Sequence, residues 1–147
     1  SFTSSYDRED SKKLIKFLEI RKNNLDNKNI KFIQMSSLEL ENNFKNKSFD
    51  LIWIDGDHFN PQVTIDIFQC LKLIKKNGMI CVDDVIKDDE ILKENVNKEY
   101  LSSDSFKTLE YFNNLEYLKT SYLLKRVSRR NLDFKKFISI SSLKDFN

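Results

Sequence analysis

Two apolar stretches that end in carboxylates decide the fold, Leu51-Ile-Trp-Ile-Asp-Gly-Asp-His58 and Gly78-Met-Ile-Cys-Val-Asp-Asp84. Their apolar residues run together instead of alternating, which predicts buried strands at 50–55 and 79–83. The spacing of apolar residues between them predicts a single helix at about 61–76. Parallel strands joined by such a helix bring their terminal acids to one edge of an open α/β sheet, where ligands bind.

The rest of the chain extends this sheet. An apolar stretch at 30–35 predicts another strand, and those at 120–127 and 136–142 predict an antiparallel hairpin at the sheet edge. A length of 147 residues suits one domain. We therefore expect a mostly parallel α/β sheet with a C-terminal antiparallel hairpin, in a single domain over 1–147.

The sequence also predicts the structural position of four residues within this region. Trp53 lies inside a strand and is expected in the core. Asn60 is expected to cap the helix, with Pro61 in its first turn. Gly78 is expected to end that helix in the left-handed conformation that glycine adopts freely.

The charge balance and the cysteines narrow the class of protein. Lys and Arg number 25 against 23 Asp and Glu, a net charge of +2, which indicates neither nucleic acid nor an anionic membrane as a partner. No apolar run approaches the length of a membrane span. Cys70 and Cys81 fall at core positions, which is typical of a reducing compartment. We expect a cytoplasmic protein, and the sequence leaves its oligomeric state open.

The acids at the strand ends indicate a chemistry. Asp55, Asp83 and Asp84 are expected to converge, and three carboxylates suit Mg²⁺. The alternative is that Asp83 and Asp84 cap the next helix or are solvated. The imidazole of His58 is a side chain of the kind that accepts a proton in catalysis, although a loop histidine also caps backbone groups. Asp57 is expected to bind the loop backbone, and the alternative is that it helps to order the metal.

The two motifs, their order and the helix between them resemble the class I S-adenosylmethionine-dependent methyltransferases. The nearest branch is the small-molecule O-methyltransferases, with an Asp-Gly-Asp-His type motif after the fourth strand and Asp-Asp after the fifth. The resemblance covers about residues 1–142, and its specific part is 48–84. It implies a Rossmann-like sheet and an enzyme that methylates a hydroxyl of a small-molecule substrate. It also implies catalytic roles for Asp55 and His58, with Mg²⁺ as a second cofactor in the metal-dependent members.

The same resemblance implies contacts to S-adenosylmethionine. Asp7 would bind the ribose hydroxyls, and Ser36 and Ser37 would contact the adenine. Asp55 belongs to the cofactor-binding set as well as to the metal set. Helix capping is the alternative for Asp7 and for both serines.

One family feature has no counterpart in the sequence. The glycine-rich loop that follows the family's first strand is missing, because the first glycine of the chain is Gly56. We therefore expect an N-terminally truncated methyltransferase domain that is inactive by itself. The alternative is a non-catalytic α/β remnant or binding module of the same fold. A phosphoryl-transfer domain would need a nucleophilic Asp and a downstream Lys that the sequence does not offer.

Overall fold

The computed structural model describes residues 11–91, 101–128 and 134–144, in two compact units, Ser1–Met35 and Ser36–Asn147. The described part of the first unit contains helix α1, Ser11–Leu25. Within this unit the Arg21 guanidinium lies 4.9 Å from the centre of the Phe32 ring. None of the described helices is long and apolar enough to cross a membrane.

The prediction of a strand at 30–35 is wrong. These residues have no regular structure, and Ile30 closes a turn through a 2.8 Å hydrogen bond from its N–H to the carbonyl oxygen of Asn27. Phe32 and Ile33 are 51% and 38% exposed. A strand needs a paired neighbour and a buried face to be stable, and the described part of this unit supplies neither.

The second unit holds the other elements. They are a 3₁₀ turn at Ser37–Glu39, α2 Leu40–Asn43, β1 Phe49–Ile54, α3 Gln62–Leu73, β2 Ile74–Val85, α4 Asp88–Ile91, α5 Asp104–Asn114, β3 Leu118–Ser128 and β4 Phe134–Leu143. The sheet order is β1-β2-β4-β3. β1 is parallel to β2, and β4 is antiparallel to both β2 and β3. The sheet is therefore mixed, with one parallel and two antiparallel pairings among the described strands, and the predicted α/β sheet with a terminal antiparallel hairpin is confirmed.

Helices α3 and α5 contribute to the core that covers one face of this sheet. The apolar residues of α3 recur at helical spacing, so Val63, Ile67 and Cys70 are all buried. The core is formed by Ile54, Val63, Ile67, Cys70, Ile74, Ile80, Val82, Val85, Leu109, Phe112 and Leu118. Cys70 and Cys81 are buried free thiols, as predicted. Burial, with the charge of Asp66, raises the pKa of Cys70 to about 12, so this thiol is unreactive near neutral pH.

Gly78 has a different role from the predicted one. Helix α3 ends at Leu73, and Ile74 already pairs with Phe49 as the first residue of β2. Gly78 lies inside β2, and no glycine in the described chain has a positive φ. A Cβ at Gly78 would approach the Ile74 side chain to 2.7 Å and the Asp50 carbonyl oxygen to 2.9 Å. The glycine therefore permits close packing between the strands and does not form a turn.

Strand β1 is buried on one face only in the described part of the chain. Ile54 is 7% exposed, but Trp53 is 51% and Leu51 is 54% exposed. Met79, the register partner of Leu51 on β2, is 47% exposed. The expectation that Trp53 belongs to the core is therefore wrong for the described residues. A continuous apolar run does not show which of its two faces is covered.

Candidate functional site

The strand register brings the predicted acids to one edge of the sheet. Ile54 pairs with Val82 in the parallel ladder between β1 and β2. The next residues, Asp55 and Asp83, therefore follow the same end of the ladder, as predicted. The regular pairing of β2 with β4 breaks between Val82 and Val85. Within this break Asp84 has a φ of 48°, a left-handed conformation that is uncommon for a residue with a side chain.

The Asp83 carboxylate is held by a lysine from the terminal hairpin. Lys125 Nζ lies 2.6 Å from both oxygens of Asp83 and 3.0 Å from Oδ1 of Asp84. Lys125 lies where the register between β3 and β4 breaks, between Leu124 and Arg126. A bulge of this kind changes the direction of a side chain, and here the lysine meets the acids. Its hydrogen bonds to Asp83, with those to Asp84, raise the pKa of Lys125.

The second oxygen of Asp84 has its own cations. Lys136 Nζ donates a short hydrogen bond to Asp84 Oδ2, and Arg126 Nη2 lies 3.4 Å from the same atom. The Asp84 N–H donates to Asp83 Oδ1 at 2.8 Å. Burial by itself would raise the pKa of Asp84, but hydrogen bonds and charges from Lys136 and Lys125 lower it to about 2. All four carboxylate oxygens of the pair therefore have cationic donors.

Unlike Asp83 and Asp84, Asp55 and His58 have no ion-pair partner among the described residues. The Asp55 side chain is exposed and makes no hydrogen bond or ion pair with any described residue. His58 Nδ1 is buried, and no group in the described part of the chain hydrogen-bonds it. Buried polar atoms without a partner are uncommon in native structures. Asp55 and His58 Nδ1 are therefore without a hydrogen-bond partner among the described residues.

The loop that carries His58 is fixed at both ends. Asp57 Oδ1 accepts a hydrogen bond from the Phe59 N–H at 3.0 Å, which confirms the predicted contact of Asp57 with the loop backbone. The Asn60 N–H donates to Asp104 Oδ2 at 2.9 Å. Asp104 is the first residue of α5, so a helix from later in the chain holds this loop in place.

The start of α3 differs from the prediction. Pro61, not Asn60, occupies the capping position, and it makes no side-chain cap. The Asn60 side chain instead accepts a hydrogen bond from the Thr64 hydroxyl. Thr64 Oγ1 also lies 2.8 Å from Thr108 Oγ1 on α5. Neither Asp104 nor Thr108 was singled out from the sequence, because no local pattern marks a contact that spans 44 residues.

Of the residues that the resemblance assigns to the cofactor alone, the structure describes Ser36 and Ser37. Ser36 Oγ accepts a 3.3 Å hydrogen bond from the Leu38 N–H, so it caps the 3₁₀ turn. Ser37 Oγ accepts from Gln62 Nε2 at 2.8 Å and keeps its own proton to donate. Gln62 also binds Oδ1 of Asp66, which is 7% exposed. The contact of Ser37 with adenine stays a prediction.

Asp7, the residue assigned to the ribose, lies outside the described residues. The assignment of Asp7 to the cofactor stays a prediction.

The acids do not fit a magnesium ion as they are arranged. In 11–91, 101–128 and 134–144 no group of three His, Cys, Asp or Glu side chains is able to hold a metal ion. The physical reason is that lysine ammoniums occupy the oxygens of Asp83 and Asp84. Asp55 offers a single free carboxylate. Binding of Mg²⁺ by Asp55, Asp83 and Asp84 remains a prediction that this geometry does not support.

A family model described as a methyltransferase domain matches residues 6–85. The chain belongs to this family of class I methyltransferase domains. The matched region runs to the end of β2, so it includes Asp55, His58, Asp83 and Asp84. No curated protein matches the sequence significantly.

Solved structures share the fold of this methyltransferase domain at low identity. Cofactor-bound Rv0187 from MTB is 19% identical with a TM-score of 0.57, over 80% of this chain and 50% of its own. A Methanococcus maripaludis protein described as an S-adenosyl-L-methionine-dependent methyltransferase is 17% identical with a TM-score of 0.55, over 92% and 64%. These two likenesses show an α/β Rossmann-like fold.

An O-methyltransferase from Bacillus cereus, in complex with SAH, is 21% identical with a TM-score of 0.47, over 74% of this chain and 46% of its own. The chain thus spans about half the length of several structures that it resembles.

Proposed function

We propose that the protein transfers a methyl group from S-adenosylmethionine to a hydroxyl oxygen of a small molecule. The observation that supports this proposal is the position of two groups after β1, an exposed Asp55 and a buried His58 Nδ1, neither of which has a partner among the described residues. Both follow β1, at the carboxyl ends of parallel strands, where open α/β sheets bind their ligands. Membership of the methyltransferase domain family gives the reaction class.

His58 has the role of base in this proposal. The acceptor oxygen forms a bond to the methyl carbon, the carbon–sulfur bond breaks with its electron pair remaining on sulfur, and the hydroxyl proton moves to the imidazole. S-adenosylmethionine supplies an activated methyl group on a positively charged sulfur. A base that titrates near neutral pH suits this proton transfer. The hydroxyl acceptor is inferred from this base, because neutral hydroxyl oxygens are weak nucleophiles.

The remaining residues would bind and orient. Asp55 is free to bind the cofactor or the acceptor hydroxyl. Ser37 would donate its hydroxyl proton to the adenine, with Ser36 holding the backbone of the same turn. Asp7 would bind the ribose. Positioning of this kind supplies most of what a displacement between two bound molecules needs.

Binding is tested first, on the protein in the length that its gene encodes. Calorimetric titration with S-adenosylhomocysteine should give one site, weakened about tenfold or more in Asp55→Asn through loss of a charged contact. Asp50→Asn is the matched control, since Asp50 lies near the opposite end of β1 and pairs with Lys75 at the surface. Equal affinities of the two variants would contradict the cofactor role of Asp55.

Catalysis is tested with methyl-labelled S-adenosylmethionine and a panel of sugars, catechols and polyketide hydroxyls. His58→Ala should lower the rate about a hundredfold or more near neutral pH. The rate should recover in part at high pH, where the hydroxyl ionises without help. A rate equal to that of the parent at every pH would remove the base assignment. A protein that neither binds the cofactor nor transfers a methyl group would instead be a binding module of the same fold.

A further inference from the structure

We propose that Lys125 and Lys136 take the place of a divalent metal at the end of β2, and that they keep the Asp83–Asp84 pair closed to Mg²⁺. These two lysines are called the lysine clamp. The clamp lies at the site of the proposed function. Only one consequence rests on that function, namely that methyl transfer at this site needs no metal. The clamp itself consists of ion pairs between described residues.

The clamp satisfies every oxygen that a metal would use. Lys125 Nζ contacts both oxygens of Asp83 and Oδ1 of Asp84. An ammonium group has three N–H donors, and these three contacts account for all of them. Lys136 Nζ takes the fourth oxygen, Asp84 Oδ2, which Arg126 also approaches. No carboxylate oxygen of the pair is left without a cation.

The ion pairs are shielded from solvent. The side chains of Asp83 and Asp84 are 11% and 19% exposed, and those of Lys125 and Lys136 are 28% and 18% exposed. Water screens such charges less than it screens surface pairs. Removing a partner from a buried pair leaves an uncompensated charge, which is strongly unfavourable. A divalent ion would neutralise the carboxylates but would leave Lys125 and Lys136 without their anionic partners, and its binding would have to offset that loss.

The cations of the clamp come from the two strands of the terminal hairpin, β3 and β4. Arg126 and Lys136 are register partners on β3 and β4, and like charges opposite each other destabilise a strand pair. Asp84 relieves this repulsion, because it accepts from both side chains. Lys125 comes from a bulge in β3 and Asp84 from the irregular part of β2. β2 and β3 thus both depart from regular pairing at the residues whose opposite charges form the ion pair, Asp84 and Lys125.

Mg²⁺ needs carboxylates that are open to it, because it loses its waters reluctantly and demands near-octahedral geometry. Ammoniums attached to sheet strands are held at a high local concentration that a free ion lacks. The clamp therefore acts as a built-in counter-ion, and of the three acids only Asp55 has no partner among the described residues.

Manganese binding, followed by electron paramagnetic resonance on the full gene product, tests the clamp without an activity measurement. The parent protein should bind no stoichiometric Mn²⁺ up to about 1 mM. The double variant Lys125→Met/Lys136→Met should gain one Mn²⁺ site, about tenfold tighter or more than any in the parent. Adding Asp84→Asn to the double variant should abolish that site. Lys72→Met is the matched control, because Lys72 pairs with Glu41 at the surface, and it should gain none.

Two results would overturn the proposal. One is stoichiometric Mn²⁺ binding by the parent that Asp84→Asn removes. The other is a folded double variant that binds Mn²⁺ no better than the parent does. If the double variant does not fold, thermal unfolding of the parent decides. Mg²⁺ should leave the melting temperature unchanged relative to K⁺ at equal ionic strength, whereas a rise specific to Mg²⁺ that Asp84→Asn abolishes would refute the clamp.

Discussion

Lys125 Nζ lies 2.6 Å from both carboxylate oxygens of Asp83, a residue 42 positions earlier in the chain. The two residues belong to β3 and β2, which are not neighbours, because β4 lies between them. Phe137 of β4 pairs with Val85 on one side and with Leu124 on the other. The lysine side chain therefore reaches across an intervening strand, and this contact ties the terminal hairpin to the edge that carries the candidate site.

The ion pairs of Asp84 predict a pH dependence of stability. Its pKa is lowered to about 2 from a usual 3.8, so its contribution is present above about pH 4 and is lost as the pH falls towards 2. Because a tenfold change in proton affinity corresponds to about 1.4 kcal/mol, the contribution is up to about 2 kcal/mol. Urea unfolding should show a difference in stability between the parent and Asp84→Asn at pH 5, and this difference should shrink steadily as the pH falls from about 4 towards about 2. A difference that stays constant over this range would contradict the prediction.

Substitution by alanine should affect stability differently at the two glycines of the chain. Gly78→Ala places a Cβ 2.7 Å from the Ile74 side chain and 2.9 Å from the Asp50 carbonyl oxygen. Since the backbone oxygen has little room to move, the free energy of unfolding should fall by about 1 to 3 kcal/mol. Gly56→Ala is the control, because its Cβ would lie at an ordinary 3.5 Å from Asp66 Oδ2. Equal stabilities of the two variants, measured by denaturant unfolding, would refute the packing role of Gly78.

Alanine substitutions at two adjacent residues of β2 should also differ in their effect on the free energy of unfolding. Ile80 is 1% exposed and Met79 is 47% exposed, because they lie on opposite faces of the sheet. Ile80→Ala should lower the free energy of unfolding by about 2 to 5 kcal/mol, since it leaves a cavity in the core. Met79→Ala should cost about 1 kcal/mol or less. A similar large loss for both would mean that the second face of the sheet is covered in solution.

The contact between Asp104 and Asn60 predicts a local effect near His58. Asp104→Ala removes the acceptor for the Asn60 N–H, which should cost about 1 to 3 kcal/mol for a hydrogen bond to a charged group. Hydrogen exchange of the Asn60 amide should become faster, because the loop opens more often. Asp88→Ala is the control, since Asp88 makes a 3.5 Å surface pair with Lys107. Unchanged exchange at Asn60 in Asp104→Ala would show that this bond does not hold the loop.

Local patterns in the sequence determined the four strands of the described sheet and the position of the acids, but they failed at 30–35. The apolar runs at 51–54 and 79–82 are each followed by carboxylates, and parallel pairing of such strands leaves little choice about the edge at which Asp55 and Asp83 lie. The terminal hairpin was predicted for the same reason, since each strand is a short apolar stretch bounded by polar residues. The pattern also placed Cys70 and Cys81 in the core.

The tertiary structure alone decided which of these side chains are available. Local patterns describe a residue's own element, whereas Lys125, Lys136 and Asp104 act on residues 41 to 52 positions away. Bulges in two strands bring the lysines to the acids, and no spacing in the sequence encodes that meeting. The same limit explains Gly78, whose role is set by a carbonyl oxygen on the neighbouring strand. The sequence thus gives the positions of the charges, and strand pairing determines which of them remain free.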